Sequence, residues 1–341
     1  MHKSFVAGLA VFGLMATAAN AAYSWNSVQI WGGGYVPGVT FTTSGNAYLR
    51  TDVGGAYKLN SDDSWTPLND AFTNPDDMGS VAIAVDSENE NYVYSTAGLY
   101  MASWSSSASL LRSSDGGSTW TKLPIKLNGT DLYLAGNGEG RGMGNRLAIK
   151  GTTVFLGTNQ NGLIKSTDRG ATWSKAGTFA TGVSAVFFDK SGNVYAAPYE
   201  GGLYKSTNGG SSFSQISGIS GVVYQAAISG NIVWLTTNTT KTTDQNGVGG
   251  GAVFMYDISA GSAKKITNIG SSCGFLGVAT TDNGKNAVVS TGGCWSGNAG
   301  LFDNNFVPHE SIFYTQDAGS SWKEILKKGT FDKTTAPGSA N

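Results

Sequence analysis

The chain has 341 residues, a formal net charge of −1 and only 13% charged side chains, with no basic run. That balance excludes a nucleic-acid binder, which needs a concentrated positive face. Its two histidines, His2 and His309, exclude a multi-histidine metal site, so no metal or other cofactor is expected and carboxylates are left to carry any chemistry. A surface rich in Gly, Ser, Thr, Asn, Tyr and Trp suits an uncharged, hydroxyl-rich partner such as a polysaccharide. An ordinary secreted β-protein has the same composition.

Residues 1–21 read as a secretory signal peptide: Met1-His2-Lys3, an apolar run from Phe5 to Ala18, then the small-x-small site Ala19-Asn20-Ala21. No later stretch approaches the roughly 18–20 apolar residues that span a bilayer. Residues 22–341 are therefore expected to form one secreted domain without a membrane span. Early in it lies "YLRTDVGGAY" (48–57), where Asp52 sits in a Gly-rich turn between two strand-like runs.

An octapeptide then recurs: "SSDGGSTW" (113–120), "STDRGATW" (166–173), "STNGGSSF" (206–213) and "TQDAGSSW" (315–322). "NSDDSW" (60–65) is a worn copy, and "MYDISAGSAKKI" (255–266) occupies the place where another is due. The six terminal positions, from Trp65 to Trp322, are spaced by 40 to 56 residues. With strand-like runs before each, that period predicts an all-β propeller of four-stranded units. Ser and Asp side chains can bond backbone N–H groups across a tight turn, Gly supplies positive φ, and the aromatic plugs the space between sheets. Asp115, Asp168 and Asp317 are accordingly structural, because they recur, whereas "RTDVGGAY" occurs once. The form resembles the Asp-box of sialidases, sortilin-like receptors and several glycosidases.

Cys273 and Cys294 flank a predicted hairpin, "GFLGVATT" and "NAVVSTGG" around Asp282–Lys285. A simple antiparallel register sets them opposite each other, and a secreted compartment permits a structural disulfide; two free thiols are the alternative.

"YSWNSVQIWGGGYVPGVTF", "AYLRTDVGGAYKLNSDDSWTPLND", "GLYMASW", "GNGEGRGMGNRLAI" and "GGCWSG" closely resemble the N-terminal propeller of glycoside hydrolase family 74, the xyloglucan-active endoglucanases. The resemblance implies an inverting hydrolase of β-1,4-glucan or xyloglucan, built from two seven-bladed propellers facing across a cleft. It makes Asp52 the general base. It places Tyr100, Trp104 and Trp295 among the aromatics that stack on sugar rings, and Asn137 and Arg141 on the loop bordering the cleft. Arg50 is expected to orient Asp52 or hold the turn.

The sequence departs from the family where the second carboxylate should lie. The family's acid follows a Gly-Trp pair early in the second propeller, and no Gly-Trp pair occurs here. The family's Gly-Glu-Arg-Leu is Gly144-Asn145-Arg146-Leu147. Hydrolysis then needs an acid from elsewhere in the chain, such as Glu139, or from a second propeller domain or chain. The alternative is a non-catalytic glycan-binding propeller. A sialidase-like enzyme, needing an arginine cluster, ranks third.

Overall fold

The computed structural model describes residues 30, 33–138, 140–239, 251–270, 274–292 and 311–326. Six four-stranded antiparallel sheets follow one another, each with its strands bonded in chain order. The first comprises Gly38–Phe41, Ala47–Arg50, Ala56–Leu59 and Trp65–Pro67. The second runs from Ile83–Val85 to Thr121–Pro124 and the third from Leu147–Lys150 to Ser174–Ala176. The fourth spans Val183–Phe188 to Ser214–Gln215, the fifth Val222–Ser229 to Ser262–Ile266, and the sixth Gly274–Thr281 to Lys323–Leu326. Such meanders arise because short strands joined by tight turns can pair only with their chain neighbours.

This is a six-bladed β-propeller arrangement. The seven blades expected from the resemblance are not found: the described residues supply six four-stranded sheets. All of the "YSWNSVQIW" segment except Ile30 lies outside them. The signal peptide, Cys273, Cys294, Trp295, His309 and Glu139 lie outside them too. No helix among the described residues is long and apolar enough to cross a membrane. The helical content of the described residues is two 3₁₀ turns, Pro75–Met78 and Asp282–Gly284.

The core lies between sheets. Tyr48 and Ala56 of the first sheet meet Ile83 and Val93 of the second. Leu110, Leu147 and Trp173 join the second to the third, and Phe155, Val186 and Val194 the third to the fourth. Tyr195, Val223, Leu235 and Phe254 join the next pair, and Trp234, Phe275 and Phe313 the last. Each large side chain so buried contributes about 1.5–3 kcal/mol, which makes the sheet-to-sheet seams the main source of stability.

The octapeptides share one turn. Ser113 Oγ accepts from Gly117 N–H (2.9 Å) and donates to Asp115 Oδ1 (2.7 Å); Asp115 accepts from the N–H (2.8 Å) and hydroxyl (2.6 Å) of Thr119. Asp168 and Asp317 repeat the pattern, and Asn208 reproduces it with an amide. A Cβ on Gly170, Gly210 or Gly319 would crowd Leu110, Phe155 or Trp234 of the preceding sheet, so the glycine lets each turn close onto its neighbour. In the unit that lacks the motif, Ile266 packs beside Trp234 in the seam to the following sheet, whereas Trp120, Trp173, Phe213 and Trp322 fill the seam to the preceding one.

Two consequences are measurable. Hydrogen bonds from Thr119, Thr172 and Ser321 lower the carboxyl pKa values of Asp115, Asp168 and Asp317 to about 2 from 3.8. A folded pKa below the unfolded one gives stability that is complete above about pH 4 and lost as pH falls towards 2. Acid titration of thermal unfolding should show this decline, and Asp168→Asn should flatten it, since Asn208 already serves in such a turn. Ala318, by contrast, holds φ 54° where two other turns have Gly116 and Gly209. Ala318→Gly should therefore raise stability by about 0.5–1 kcal/mol in urea unfolding.

Candidate functional site

Asp52 lies in the turn joining the second and third strands of the first sheet. Thr51 shapes that turn: its N–H and hydroxyl both donate to Gly55 O (2.8 and 2.9 Å), while its Oγ1 accepts from Gly54 N–H (2.7 Å). Asp52 points away from these bonds and is 5% exposed. Its Oδ1 accepts from Tyr35 N–H at 2.7 Å, and its own N–H donates to Tyr35 O at 3.1 Å.

That exchange requires the segment before Tyr35 to run hard against the turn. A Cβ on Gly34 would stand 2.6 Å from Asp52 Oδ1, and one on Gly54 would collide with Gly33 O. Gly34 and Gly54 are therefore both required for this close approach. Tyr35 and Gly34 are site residues that reading the sequence did not single out. The signal was available, as a three-glycine run beside an aromatic whose partner glycines lie twenty residues on.

The other oxygen, Oδ2, faces Arg141 Nε at 3.5 Å. Arg141 Nη1 donates to Asn137 Oδ1 (2.8 Å), and Asn137 Nδ2 donates to the Tyr100 hydroxyl (2.9 Å). The Tyr100 ring leans on Trp104, with centroids 5.1 Å apart and planes tilted by 45°. Trp104 is 74% exposed, an unusual position for an indole and one open to a ligand. Five residues drawn from three separate stretches thus form one connected chain from carboxylate to aromatic surface. Trp295 lies outside the described residues.

Arg50 does not contact a ligand position. Its guanidinium is buried and donates to Ser80 O (2.9 Å), Arg141 O (3.0 Å) and Met143 O (3.5 Å). It therefore pins the Arg141 loop to the first sheet. Burial, reinforced by the nearby Arg146 charge, lowers its pKa to about 9. Arg146 is also buried, donating to Asn159 Oδ1 (2.9 Å) and Gly140 O (2.6 Å).

The third sheet repeats the Thr51 turn. Thr158 Oγ1 donates to Gly162 O (2.8 Å) and accepts from Asn161 N–H (2.8 Å). Asn159 thus stands where Asp52 stands in the first sheet, and takes Arg146 as its arginine. The backbone repeats but the carboxylate does not. Beside these turns a cleft of about 220 Å³ is lined by Tyr100, Met101, Ala135, Gly138, Gly140, Asn159, Gln160 and Tyr199. Among the described residues, the amides of Asn159 and Gln160 and the phenols of Tyr100 and Tyr199 supply its side-chain hydrogen-bonding groups and suit a polar ligand. No group of three potential metal ligands occurs among the described residues.

Fold and turns together define a class: a β-propeller with a buried carboxylate tied to a half-buried tyrosine and an exposed tryptophan beside a polar cleft. No protein-family model matches the chain. A xyloglucanase of Hypocrea jecorina is 32% identical over 93% of this chain and 42% of that protein. A xyloglucanase of Acetivibrio thermocellus is 32% identical over 97% of this chain and 43% of its own length. The GH74 enzyme of Niastella koreensis superposes with a TM-score of 0.75 at 29% identity, covering 89% of this chain and 47% of that one. The chain belongs to glycoside hydrolase family 74. It spans less than half the length of these relatives.

Proposed function

We propose that this chain is the base-bearing propeller of a secreted xyloglucan hydrolase, with Asp52 as the general base. The observation that carries this reading is the fixed Asp52 carboxylate, joined through Arg141 and Asn137 to the Tyr100–Trp104 pair. A glucan chain laid over Trp104 and Tyr100 stacks its apolar ring faces on the aromatics, while the amides and phenols of the cleft bond its hydroxyls. Asp52, paired with Arg141, takes a proton from water as the water oxygen bonds to the anomeric carbon on the face opposite the leaving group. The glycosidic bond breaks, and the departing oxygen takes a proton from a second carboxylic acid about 6.5–9.5 Å from the base. Anomeric configuration inverts.

The acid is the part this reading must find elsewhere. Glu139 falls outside the described residues. The relatives have more than half their length beyond the matched region, so a second propeller domain or chain is the favoured donor. The second reading, a glycan-binding propeller without catalysis, keeps Tyr100 and Trp104 as its sugar platform. The sialidase alternative loses support because the guanidiniums of Arg50, Arg141 and Arg146 bond to protein acceptors rather than converging on an open position.

Reducing-end assay and calorimetry on xyloglucan decide between the first two. Release of reducing ends by the chain, alone or with a supplied second propeller, supports hydrolysis. Binding without release under both conditions establishes the binding module, and neither binding nor release sinks both.

A further inference from the structure

Asn137 and Arg141 flank the cleft-lining residues Gly138 and Gly140 in the chain but do not line the cleft themselves. Each end of the Asn137 amide is engaged, the oxygen by Arg141 Nη1 and the nitrogen by the Tyr100 hydroxyl. The loop carrying them is anchored on both sides. Gly136 and Asn137 donate their N–H groups to Gly98 O (2.9 Å) and Leu99 O (3.0 Å), and Arg141 O accepts from Arg50. Asn137 and Arg141 are thus struts between the aromatic pair and the carboxylate rather than ligand contacts.

The last link is the loose one. The 3.5 Å from Arg141 Nε to Asp52 Oδ2 exceeds the 2.7–2.9 Å usual for a charge-assisted hydrogen bond. A small displacement of Arg141 can close that gap, whereas the 2.8 and 2.9 Å bonds along the strut are already at hydrogen-bond length. A sugar ring pressing on Tyr100 moves the phenol, and the phenol carries Asn137 and the Arg141 guanidinium with it.

We propose that Asn137 and Arg141 are positioning residues that couple sugar binding on the Tyr100–Trp104 pair to the placement of the Asp52 carboxylate. This coupling rests on the reading that the aromatic pair binds glucan. A ligand that fails to reach Tyr100 leaves the base unset, so short or misplaced oligosaccharides are handled poorly even when they reach Asp52.

The test is a double-mutant cycle on the affinity for a xyloglucan oligosaccharide, measured by calorimetry. Tyr100→Phe removes only the hydroxyl, and Asp52→Asn keeps an acceptor for Tyr35 N–H. The two effects should depart from multiplicativity by about three- to tenfold in the wild-type background. They should multiply within about twofold in Asn137→Ala, with Asn137→Ser serving if the alanine variant does not fold. As a second readout, exchange of the Arg141 Nε proton, followed by NMR, should slow on saturation with oligosaccharide and not slow in Tyr100→Phe. Independent effects in both backgrounds, or coupling that survives loss of the Asn137 amide, overturn the proposal while leaving glucan binding intact. Failure of the wild-type chain to bind any glucan oligosaccharide overturns the glucan reading, and the coupling with it.

Discussion

Asp52→Asn is expected to lower kcat on xyloglucan by about 10³-fold, within the range that general-base catalysis supplies, while KM shifts by no more than the three- to tenfold that coupling to Tyr100 allows. The substitution is nearly isosteric. The amide oxygen can still accept from Tyr35 N–H, so the turn and the Gly34 approach are preserved. What is lost is the anionic oxygen facing Arg141, and with it the ability to take a proton from water. The aromatic pair is untouched, so ground-state binding persists. The measurement is steady-state kinetics on xyloglucan beside a thermal melt. An unchanged kcat with an unchanged melting temperature would remove Asp52 from the chemistry altogether.

The second large effect is on stability. Arg50→Met should destabilise the fold by about 3 kcal/mol, read as a lowered urea midpoint at unchanged slope. Three backbone acceptors, on Ser80, Arg141 and Met143, lose a charged donor in a place water reaches poorly. Arg50→Lys should not restore the loss. A single ammonium group cannot donate in the two directions that the planar guanidinium spans. Since Arg141 hangs from Arg50, the Met variant should also weaken oligosaccharide binding. A midpoint shifted by less than the scatter of repeat melts would show that those carbonyls find other donors.

Much of this architecture is legible in one dimension, for a physical reason. A turn motif that closes each hairpin must reappear wherever the hairpin does, so Trp120, Trp173, Phe213 and Trp322 mark the units by spacing alone. The same logic separates Asp52 from Asp115, Asp168 and Asp317, because a group repeated in several blades serves the blade. The count of blades was not legible to the same degree. Six marks agree with the six four-stranded sheets, whereas the seventh blade was expected from resemblance alone and is not among the described residues.

The candidate site divides along the same line. Asp52, Tyr100, Trp104, Asn137 and Arg141 could be named from short stretches, yet nothing in one dimension shows that Asn137 and Arg141 bond to each other and to their neighbours rather than facing the cleft. Tyr35, Asn159, Gln160 and Tyr199 went unnamed because each is an ordinary residue until turns from different sheets bring it to the same rim. Local chemistry, the turn preferences of Ser, Asp and Gly and the alternation of strands, was determined by the sequence itself, since those interactions span only a few residues. Which carboxylate meets which arginine was decided by tertiary structure. That pairing joins residues 52 and 141, whose meeting depends on how the first two sheets stack and where the following loop is pinned.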